Sequence, residues 1–257
     1  MNSEIKKVDI VVSCYNEEKN IVPFYNETKK HLKDKKYVYN IIYVNDGSTD
    51  NTFDEILKVS KKSTSKVKIS YISFIHNFGH EAAMCAGLNN AKGDVLIFLD
   101  VDLQHPPKKV PIILKKFENG ADCVLMKRVK YETNTLLKKF FSNAYYIFSK
   151  YVLQNKNYNN VSDYFAIDKN VAKIVNDKYN TSLRFLRSFV QNEAKNIKIV
   201  DFNAIKREKG SSKYDYIKLL KLAVISELSR SKILREKYKA TKEKPIYIID
   251  KKKTKLR

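Results

Sequence analysis

Short hydrophobic runs alternate with longer mixed segments over the first part of the chain. Four runs rich in β-branched residues predict strands at residues 8–15, 39–46, 67–75 and 94–102. Three segments between them have helical spacing and composition, at residues 16–33, 51–63 and 79–93. We expect Asn16 to cap the first helix, with two glutamates in its first turn, and Gly93 to end the third.

The predicted strands are hydrophobic on both faces, most clearly in the run from Val95 to Leu99. A strand exposed to water on one face alternates hydrophobic and polar residues. Continuous hydrophobic strands separated by helices are instead typical of a parallel sheet that is covered on both sides. The pattern therefore predicts an α/β fold with a mostly parallel sheet flanked by helices.

Composition agrees with a folded protein built around one core. The sequence has 257 residues, of which 43% are hydrophobic and 30% are charged, enough for one substantial domain with or without an appendage. It has no run of the roughly 18–20 apolar residues that cross a bilayer, and its N-terminus becomes acidic too early for a signal peptide. Cys14, Cys85 and Cys123 are scattered without metal-ligand spacing. We expect a cytoplasmic protein with reduced thiols.

The formal net charge of +22 is large enough to attract nucleic acid, anionic lipid or phosphorylated substrates. From Arg230 to Arg257 the sequence has twelve Lys and Arg residues against three Asp and Glu residues. This basic tail is either a solvated, partly disordered extension or a segment that binds an anionic membrane surface. We expect no nucleic-acid partner, because the sequence has no aromatic stacking motif, zinc pattern or recognition-helix signature.

Polar clusters follow three of the predicted strands, at residues 15–17, 45–48 and 100–104. Since ligands of parallel sheets bind outside the carboxyl ends of the strands, these clusters are expected to converge on one crevice. Asp100 and Asp102 flank Val101, which faces the other way, so the two carboxylates can share Mg²⁺ or Mn²⁺. Gln104 supplies a further oxygen, and such an ion usually bridges phosphates. Capping of the strand end is the structural alternative for the two aspartates.

Four motifs stand in sequence order: VVSCYNEE (11–18), VNDGSTDNT (44–52), HNFGHEAAMCAGLNNAKGD (76–94) and LDVDLQHPP (99–107). Three more follow: VSDYFAIDKNV (161–171), RFLRSFV (184–190) and IKREKGSSKY (205–214). Together they resemble glycosyltransferase family two over residues 8–225. The resemblance is to its dolichyl-phosphate mannosyltransferases and bacterial polyprenyl-phosphate glucosyltransferases, and it implies a nucleotide-diphospho-sugar transferase with the type A glycosyltransferase fold.

The resemblance implies roles for individual donor-site residues. Three residues would line the nucleoside pocket: Ser13, Tyr15 and Glu17. Asp46 would hydrogen-bond the base, although the same residue is also suited to cap the helix after Gly47, and Tyr15 to pack over the sheet. Asp100 would contact ribose or metal, and Asp102 and Gln104 would hold Mg²⁺ or Mn²⁺ at the diphosphate.

Residues at the start of the third helix and in the second half of the chain would contact the sugar diphosphate and the acceptor. Gly79 and His80 either face the sugar diphosphate at the helix N-terminus or only pack. By resemblance, the cations that bind phosphate would be Arg128, Arg207 and Lys213, with Lys209 as a further candidate. Asp163 would orient the acceptor or act as general base.

The nature of the acceptor decides whether a base is needed. A polyprenyl phosphate is already an anion, whereas a hydroxyl of a lipid-linked or surface saccharide must lose a proton. A single displacement at the anomeric carbon of a nucleoside-diphosphate sugar implies an inverting reaction. The resemblance favours UDP over GDP as the nucleotide. It also implies a part in cell-envelope glycan synthesis. A non-catalytic nucleotide-sugar-binding partner protein is the contrasting possibility, and a homo-oligomer is left open.

The resemblance also divides the chain. Residues 1–215 would form the catalytic domain, with a nucleotide-binding half (1–105) and an acceptor half (106–215). Residues 216–257 would form a helical, basic C-terminal extension that consists of an amphipathic helix and a basic tail. The bacterial relatives have two C-terminal membrane spans, and this sequence has none. Two aromatic and lysine-rich segments, 136–153 and 216–239, are predicted either to lie in the head-group layer of the membrane's inner face or to pack on the core.

Three residues depart from the family pattern. Asn45 stands in place of an aspartate, Val101 in place of an alanine, and Ala166 in place of an arginine. These departures leave the acceptor less well defined than the donor.

Overall fold

The computed structural model describes residues 5–129, 158, 161–179, 185–203, 236–237, 239 and 246–256. Within them, one sheet contains seven strands: β1 Lys7–Cys14, β2 Val38–Asn45, β3 Val67–Ser73, β4 Val95–Asp100, β5 Cys123–Arg128, β6 Val161–Asp168 and β7 Ile197–Phe202. The strand order is β3-β2-β1-β4-β6-β5-β7. Strand β6 runs antiparallel to both of its neighbours, and the other pairs are parallel.

Helices cover both faces of this sheet: α1 Ile21–His31, α2 Thr52–Ser60, α3 His80–Asn90, α4 Val110–Glu118, α5 Lys169–Lys178 and α6 Leu186–Glu193. Helices α1, α2 and α4 belong to one hydrophobic core, with Phe24 and Phe117. Helices α3, α5 and α6 belong to the other, with Phe189. Adjacent residues of β1 enter different cores, Ile10 the first and Val11 the second. The predicted α/β fold with a mostly parallel sheet is confirmed.

The first helix begins later than the sequence predicts. Helix α1 starts at Ile21, its N-cap is Asn20, and its first turn contains no acidic residue. Asn16 has a positive φ of 54°, and it joins the loop after β1 to the turn after β2: its amide donates to Ser48 Oγ and its Oδ1 accepts from the Thr49 amide. Asparagine tolerates this backbone conformation, and its short side chain competes with helix formation by binding nearby backbone.

The third helix also differs at its end. Helix α3 stops at Asn90, and its C-cap residue Ala91 is already extended, so Gly93 lies beyond the helix. Gly93 instead packs tightly against β1, because a Cβ on it would lie 2.8 Å from the backbone nitrogen of Asp9. The glycine therefore permits a close approach of two strands.

Residues 246–256, which we call the C-terminal strap, extend along the free edge of β3. Two antiparallel bridges connect them to the sheet region, Tyr71 with Lys255 and Phe74 with Ile249, and a short 3₁₀ turn spans Lys251–Lys253. The sequence left the conformation of this part of the basic tail open, and in the structure residues 246–256 are extended apart from the 3₁₀ turn. An edge strand has unpaired backbone groups, and an extended segment satisfies them where a helix does not.

Several predictions fall outside the described residues. They include the membrane-surface segment 136–153, most of the segment 216–239, and the cations Arg207, Lys209 and Lys213. Among the residues that are described, none of the helices combines the length and the hydrophobicity needed to cross a bilayer.

Candidate functional site

Three neighbouring strands place polar residues in one row at the edge of the sheet. Ser13 of β1 is paired with Asp100 at the end of β4. Strands β4 and β6 are antiparallel, and their pairing at this end of the sheet stops at Phe98 and Phe165. Asp100 and Asp163 lie beyond that pair, and both line the same pocket. The row borders a pocket of about 510 Å³.

Nine of the residues predicted from the sequence line this pocket: Ser13, Tyr15, Glu17, Asp46, Gly79, His80, Asp100, Asp102 and Asp163. Gln104 and Arg128 lie near it without lining it. Arg207 and Lys213 are outside the described residues. The predicted convergence of strand ends therefore holds for most of the residues on which it was based.

Asp46 connects the end of β2 to the loop before α3. The Asp46 carboxylate is buried, and it accepts hydrogen bonds from the amide of Phe78 at 2.6 Å, the amide of Gly79 at 2.8 Å and the Asn77 side chain at 3.0 Å. Hydrogen bonds to a carboxylate are stronger than bonds between neutral groups. Asp46 therefore fixes the shape of residues 77–79, two of which line the pocket.

Gly47 permits this arrangement. Its φ is +63°, and a Cβ on it would lie 2.2 Å from the backbone carbon of His76. Only glycine fits such a close approach of two backbones. Asp46 does not cap the helix that follows, because the N-cap position of α2 is occupied by Asn51. Asp46 therefore binds the loop before α3 and does not cap α2.

His80, the first residue of α3, faces Ser13 and Asp100. Its Nδ1 lies 2.8 Å from Ser13 Oγ and 3.7 Å from Asp100 Oδ1. Burial acts to lower the pKa of His80, but the surrounding carboxylates, above all Asp100 and Asp163, outweigh it and raise the pKa. The start of α3 therefore contributes two groups that favour an anion in the pocket: a histidine with a raised pKa and the amides of a helix N-terminus.

His105 is a buried residue that binds the backbone at the end of β4. Its ring is buried, and its Nδ1 lies 3.1 Å from the amide nitrogen of Asp100. Arg128 Nη2 lies 3.4 Å from His105 Nε2, and the ring of Tyr164 packs at a centroid distance of 5.3 Å. Burial lowers the pKa of His105. The sequence motif LDVDLQHPP contained this residue, but a buried histidine gives no pattern that distinguishes support from ligation.

Asp102 lies in the turn after β4. Its Oδ1 accepts a hydrogen bond from the Gln104 amide at 3.1 Å, and the intervening Leu103 has a positive φ of 62°. The Nε2 atom of Gln104 is buried and has no hydrogen-bond partner within the described structure. Asp102 therefore lines the pocket, and the Gln104 side chain does not.

Asp163, which lines the pocket, forms an ion pair with Arg187. Arg187 Nη1 lies 2.8 Å from Asp163 Oδ1 and donates to the Val161 carbonyl at 3.1 Å. Burial acts to raise the pKa of Asp163, but Arg187, followed by the nearby histidines and Arg128, outweighs it and lowers the pKa. Asp163 is therefore an ionised carboxylate at neutral pH.

Glu81 holds the helix that contains Arg187. Its carboxylate accepts from the amide of Leu186 at 3.0 Å, at the start of α6. Burial, and then the neighbouring Asp163, raise the pKa of Glu81. Sequence reasoning assigned no role to Glu81 or Arg187. The only signal for Arg187 was its place within the motif RFLRSFV, where nothing showed which residue it would contact.

Comparison with known proteins identifies relatives over most of the chain. Residues 9–202 match the family model "Glycosyl transferase family 2". The chain is 32% identical over 218 residues to "Prophage bactoprenol glucosyl transferase homolog" of Escherichia coli, covering 85% of this chain and 70% of that protein. It is 30% identical over 212 residues to "Putative glycosyltransferase CsbB" of Bacillus subtilis, covering 82% and 63%.

Solved structures share the fold at lower identity. Glucosyl-3-phosphoglycerate synthase of Mycobacterium tuberculosis, in complex with Mn²⁺, UDP-glucose and phosphoglyceric acid, superposes with a TM-score of 0.58 at 16% identity, over 92% of this chain and 82% of that one. TarS of S. aureus in complex with UDP superposes with a TM-score of 0.51 at 17% identity, over 88% and 66%. The architecture in common is the type A glycosyltransferase fold.

Proposed function

Because this chain belongs to glycosyl transferase family 2 and is a glycosyltransferase, we propose that it transfers a sugar from a UDP-sugar to polyprenyl phosphate, with inversion at the anomeric carbon. The observation that carries the proposal is the row of Ser13, Asp100 and Asp163 at the sheet edge, with Asp102 in the same pocket. Crevices at the carboxyl ends of parallel strands are where α/β folds bind nucleotides.

Tyr15 and Asp46 support a nucleoside at one end of the pocket. The Tyr15 side chain is 46% exposed, so its ring offers a face on which a base can stack. The carboxylate of Asp46 also lines this pocket and fixes the loop at residues 77–79 beside it. The amides at the N-terminus of α3, with His80, favour the diphosphate. Structural neighbours in complex with UDP or UDP-glucose support UDP as the nucleotide.

Asp100 and Asp102 fit a divalent cation, because both are hard oxygen ligands in one pocket. In the part of the chain that the structure describes, no group of three or more His, Cys, Asp or Glu side chains is arranged to hold a metal. Two carboxylates leave coordination positions for phosphate oxygens and water, which is the arrangement that Mg²⁺ favours and Mn²⁺ shares. When bound, the ion supplies positive charge to the leaving diphosphate. Gln104 joins as a ligand only if its amide turns toward the pocket.

In the proposed reaction, an oxygen of the acceptor phosphate attacks the anomeric carbon and forms the new bond. The bond from that carbon to the diphosphate oxygen breaks, and the released UDP keeps the electron pair. The acceptor phosphate is already anionic, so no proton has to be removed. Asp163 then orients the acceptor together with Arg187, whose positive charge offsets the repulsion between the carboxylate and the phosphate. Arg128 is a proposed phosphate contact, as are Arg207 and Lys213 outside the described residues.

A lipid acceptor places the reaction at a membrane surface. The names of relatives such as "Bactoprenol glucosyl transferase" of Shigella phage SfV support a lipid carrier. The net charge of +22 supports attraction to anionic lipid. We therefore propose a peripheral position at the inner face of the cell membrane and a part in cell-envelope glycan synthesis.

The test uses the purified full chain, radiolabelled UDP-glucose, undecaprenyl phosphate in lipid vesicles, and Mn²⁺. We expect label to move into the organic phase, and the Asp102→Ala variant to lose at least about a hundredfold of this activity. Asp177→Ala, a change at an exposed position of α5, is the matched control and should behave as the parent protein does.

Each alternative gives a different result in this assay. Label that moves only to a saccharide hydroxyl would overturn the acceptor. Full activity with a chelator present would overturn the metal, and retention of the donor anomer would overturn the single displacement. Nucleotide binding without turnover of any donor would favour the non-catalytic binding protein.

A further inference from the structure

The C-terminal strap pairs with the backbone beside and beyond β3. Tyr71 and Lys255 exchange two backbone hydrogen bonds of 2.8 Å, and the Asp250 amide donates to the Ser73 carbonyl at 2.8 Å. Beyond the end of β3, the Ile75 amide donates to the Ile248 carbonyl at 3.2 Å. The strap therefore binds both the strand and the first residue of the loop that leads to the pocket.

Aromatic contacts continue from the strap into this loop. The ring of Tyr247 stacks on Phe74 at a centroid distance of 5.0 Å, and Phe74 meets Phe78 edge to face at 5.6 Å. The Tyr247 hydroxyl also accepts a hydrogen bond of 2.9 Å from Asn89 of α3. Aromatic pairs in these geometries are favourable beyond the area that they bury. Tyr247 thus touches the elements on both sides of the loop at residues 75–79.

The same loop is held at its other end by the site. The amides of Phe78 and Gly79 donate to the carboxylate of Asp46, and Asn77 and Gly79 line the pocket. A loop fixed at both ends loses less conformational entropy when a ligand binds to it. The loop between Phe74 and His80 is fixed in this way, by Asp46 on the pocket side and by the strap on the outer side.

We propose that the C-terminal strap is a positioning element of the donor site, and that Tyr247 is the residue through which it acts. The inference rests on the proposed function, since it concerns the binding of the donor nucleotide. The strap lies outside the family match at residues 9–202. Tyr247 does not line the pocket, so we expect it to act on nucleotide binding through the loop that it supports.

The experiment compares Tyr247→Ala with Tyr247→Phe in the full chain. Tyr247→Ala removes the ring and its contacts with Phe74, so we expect UDP, in the presence of Mn²⁺, to bind about tenfold more weakly. The KM for the UDP-sugar should rise by a similar factor, while kcat at saturating donor changes less than about twofold. Tyr247→Phe keeps the ring and loses only the bond from Asn89, and it should restore most of the affinity.

Hydrogen exchange reads the same loop without any nucleotide. In Tyr247→Ala we expect faster exchange of the Phe78 and Gly79 amides, which are bonded to Asp46. Tyr37→Ala is the matched control, because this tyrosine also packs on an aromatic neighbour: its ring meets Tyr39 edge to face at the opposite end of the sheet. It should lower the stability of the fold and leave both UDP affinity and loop exchange unchanged.

The outcomes separate the two proposals. A parent protein that does not bind UDP would overturn the proposed function, while the exchange rates would still test the strap. A Tyr247→Ala variant with parental exchange rates at residues 78 and 79 would overturn the inference. An equal loss of affinity in Tyr37→Ala would also overturn it, because general destabilisation would then account for the effect.

Discussion

Asp163 and Arg187 form an ion pair of 2.8 Å at the pocket, between a strand and a helix that approach it from different directions. Strand β6 contributes the carboxylate, and α6 contributes the guanidinium. The pocket is rich in carboxylates, and Arg187 offsets the negative charge of Asp163. The pair therefore sets the ionisation of Asp163 as well as its position.

Replacement of Arg187 should change how activity depends on pH. In Arg187→Gln the carboxylate of Asp163 loses its nearest cation, so its pKa rises and the acid limb of the pH profile moves to higher pH. We expect kcat/KM at neutral pH to fall about tenfold. The measurement is the pH profile of sugar transfer, and Arg187→Lys should retain more of the parental profile. An unchanged acid limb in Arg187→Gln would contradict a role for the pair.

Close packing of α3 on β1 predicts that the effect of Gly87→Ala on the free energy of unfolding depends on the residue at position 11. A Cβ on Gly87 would lie 2.1 Å from Val11 Cγ1, so Gly87→Ala should lower the free energy of unfolding by about 1–3 kcal/mol. In the Val11→Ala background both Cγ atoms are removed and only the Cβ, 3.1 Å away, remains close. The same change should then cost little or gain up to about 1 kcal/mol of helix propensity. Urea denaturation of the four proteins measures the coupling. If the two substitutions change the free energy of unfolding additively, the contact between Val11 and position 87 does not determine the cost of Gly87→Ala.

Asp94 predicts stability that is lost in acid. Its Oδ2 accepts from the amides of Lys6 and Lys7, and its Oδ1 binds Lys169 Nζ at 2.9 Å. Burial acts to raise the pKa of Asp94, but these hydrogen bonds outweigh it and lower the pKa below its ordinary 3.8. A lowered pKa stabilises the fold above the ordinary value, and the stabilisation disappears as pH falls below it.

The matching variant is Asp94→Asn, which keeps one acceptor and loses the ion pair. We expect about 1–2 kcal/mol less stability at pH 7, and a difference from the parent that shrinks as the pH is lowered through about 4. Urea denaturation across this range provides the measurement. A difference of constant size would show that the charge of Asp94 does not contribute.

Metal removal should abolish stabilisation by the nucleotide. With Mn²⁺, UDP at one hundred times its dissociation constant adds about 2.7 kcal/mol of stability, which corresponds to a rise of several degrees in Tm. With a chelator, or in Asp102→Asn, we expect most of this rise to disappear. A thermal-shift titration distinguishes the cases, and an equal shift by UDP without metal would count against Asp102 as a ligand.

The strap lysines offer a test of membrane attraction that leaves the fold intact. Lys251 and Lys252 are exposed, and each basic residue near anionic lipid is worth about 1 kcal/mol. Changing both to Gln should weaken binding to phosphatidylglycerol vesicles, measured by pelleting, by up to about thirtyfold. The control pair is Lys33→Gln with Lys35→Gln, also exposed. Equal losses in both pairs would mean that the attraction follows total charge rather than the strap.

The sequence predicted the sheet well, because its strands are defined by local hydrophobic runs. It also predicted which strand ends converge, since in a parallel sheet that is a matter of topology. It placed the start of α1 wrongly because Asn16 is a good cap in isolation. In the folded protein Asn16 binds Ser48 and Thr49 instead, and those contacts lie 32 and 33 residues away.

Contacts distant in sequence also explain what was missed at the site. Arg187 and Glu81 have roles only because α6 packs beside the start of α3. The sequence showed that the strap is part of a basic tail but not that it pairs with the sheet, since its charge is visible in the sequence and the free edge of β3 is not. Residues 246–256 adopt an extended form because the strand beside them supplies hydrogen-bond partners.

The antiparallel placement of β6 has a consequence for the position of Asp163. Lys127 near the end of β5 is paired with Val161 at the start of β6, and the same edge of the sheet presents Asp100 and Asp163. Asp163 lies two residues beyond Val161, and among the described strands β6 is the one that opposes its neighbours. A change in the pairing of β5 with β6 would therefore shift Asp163 and leave the parallel strands β1, β2 and β4 in place.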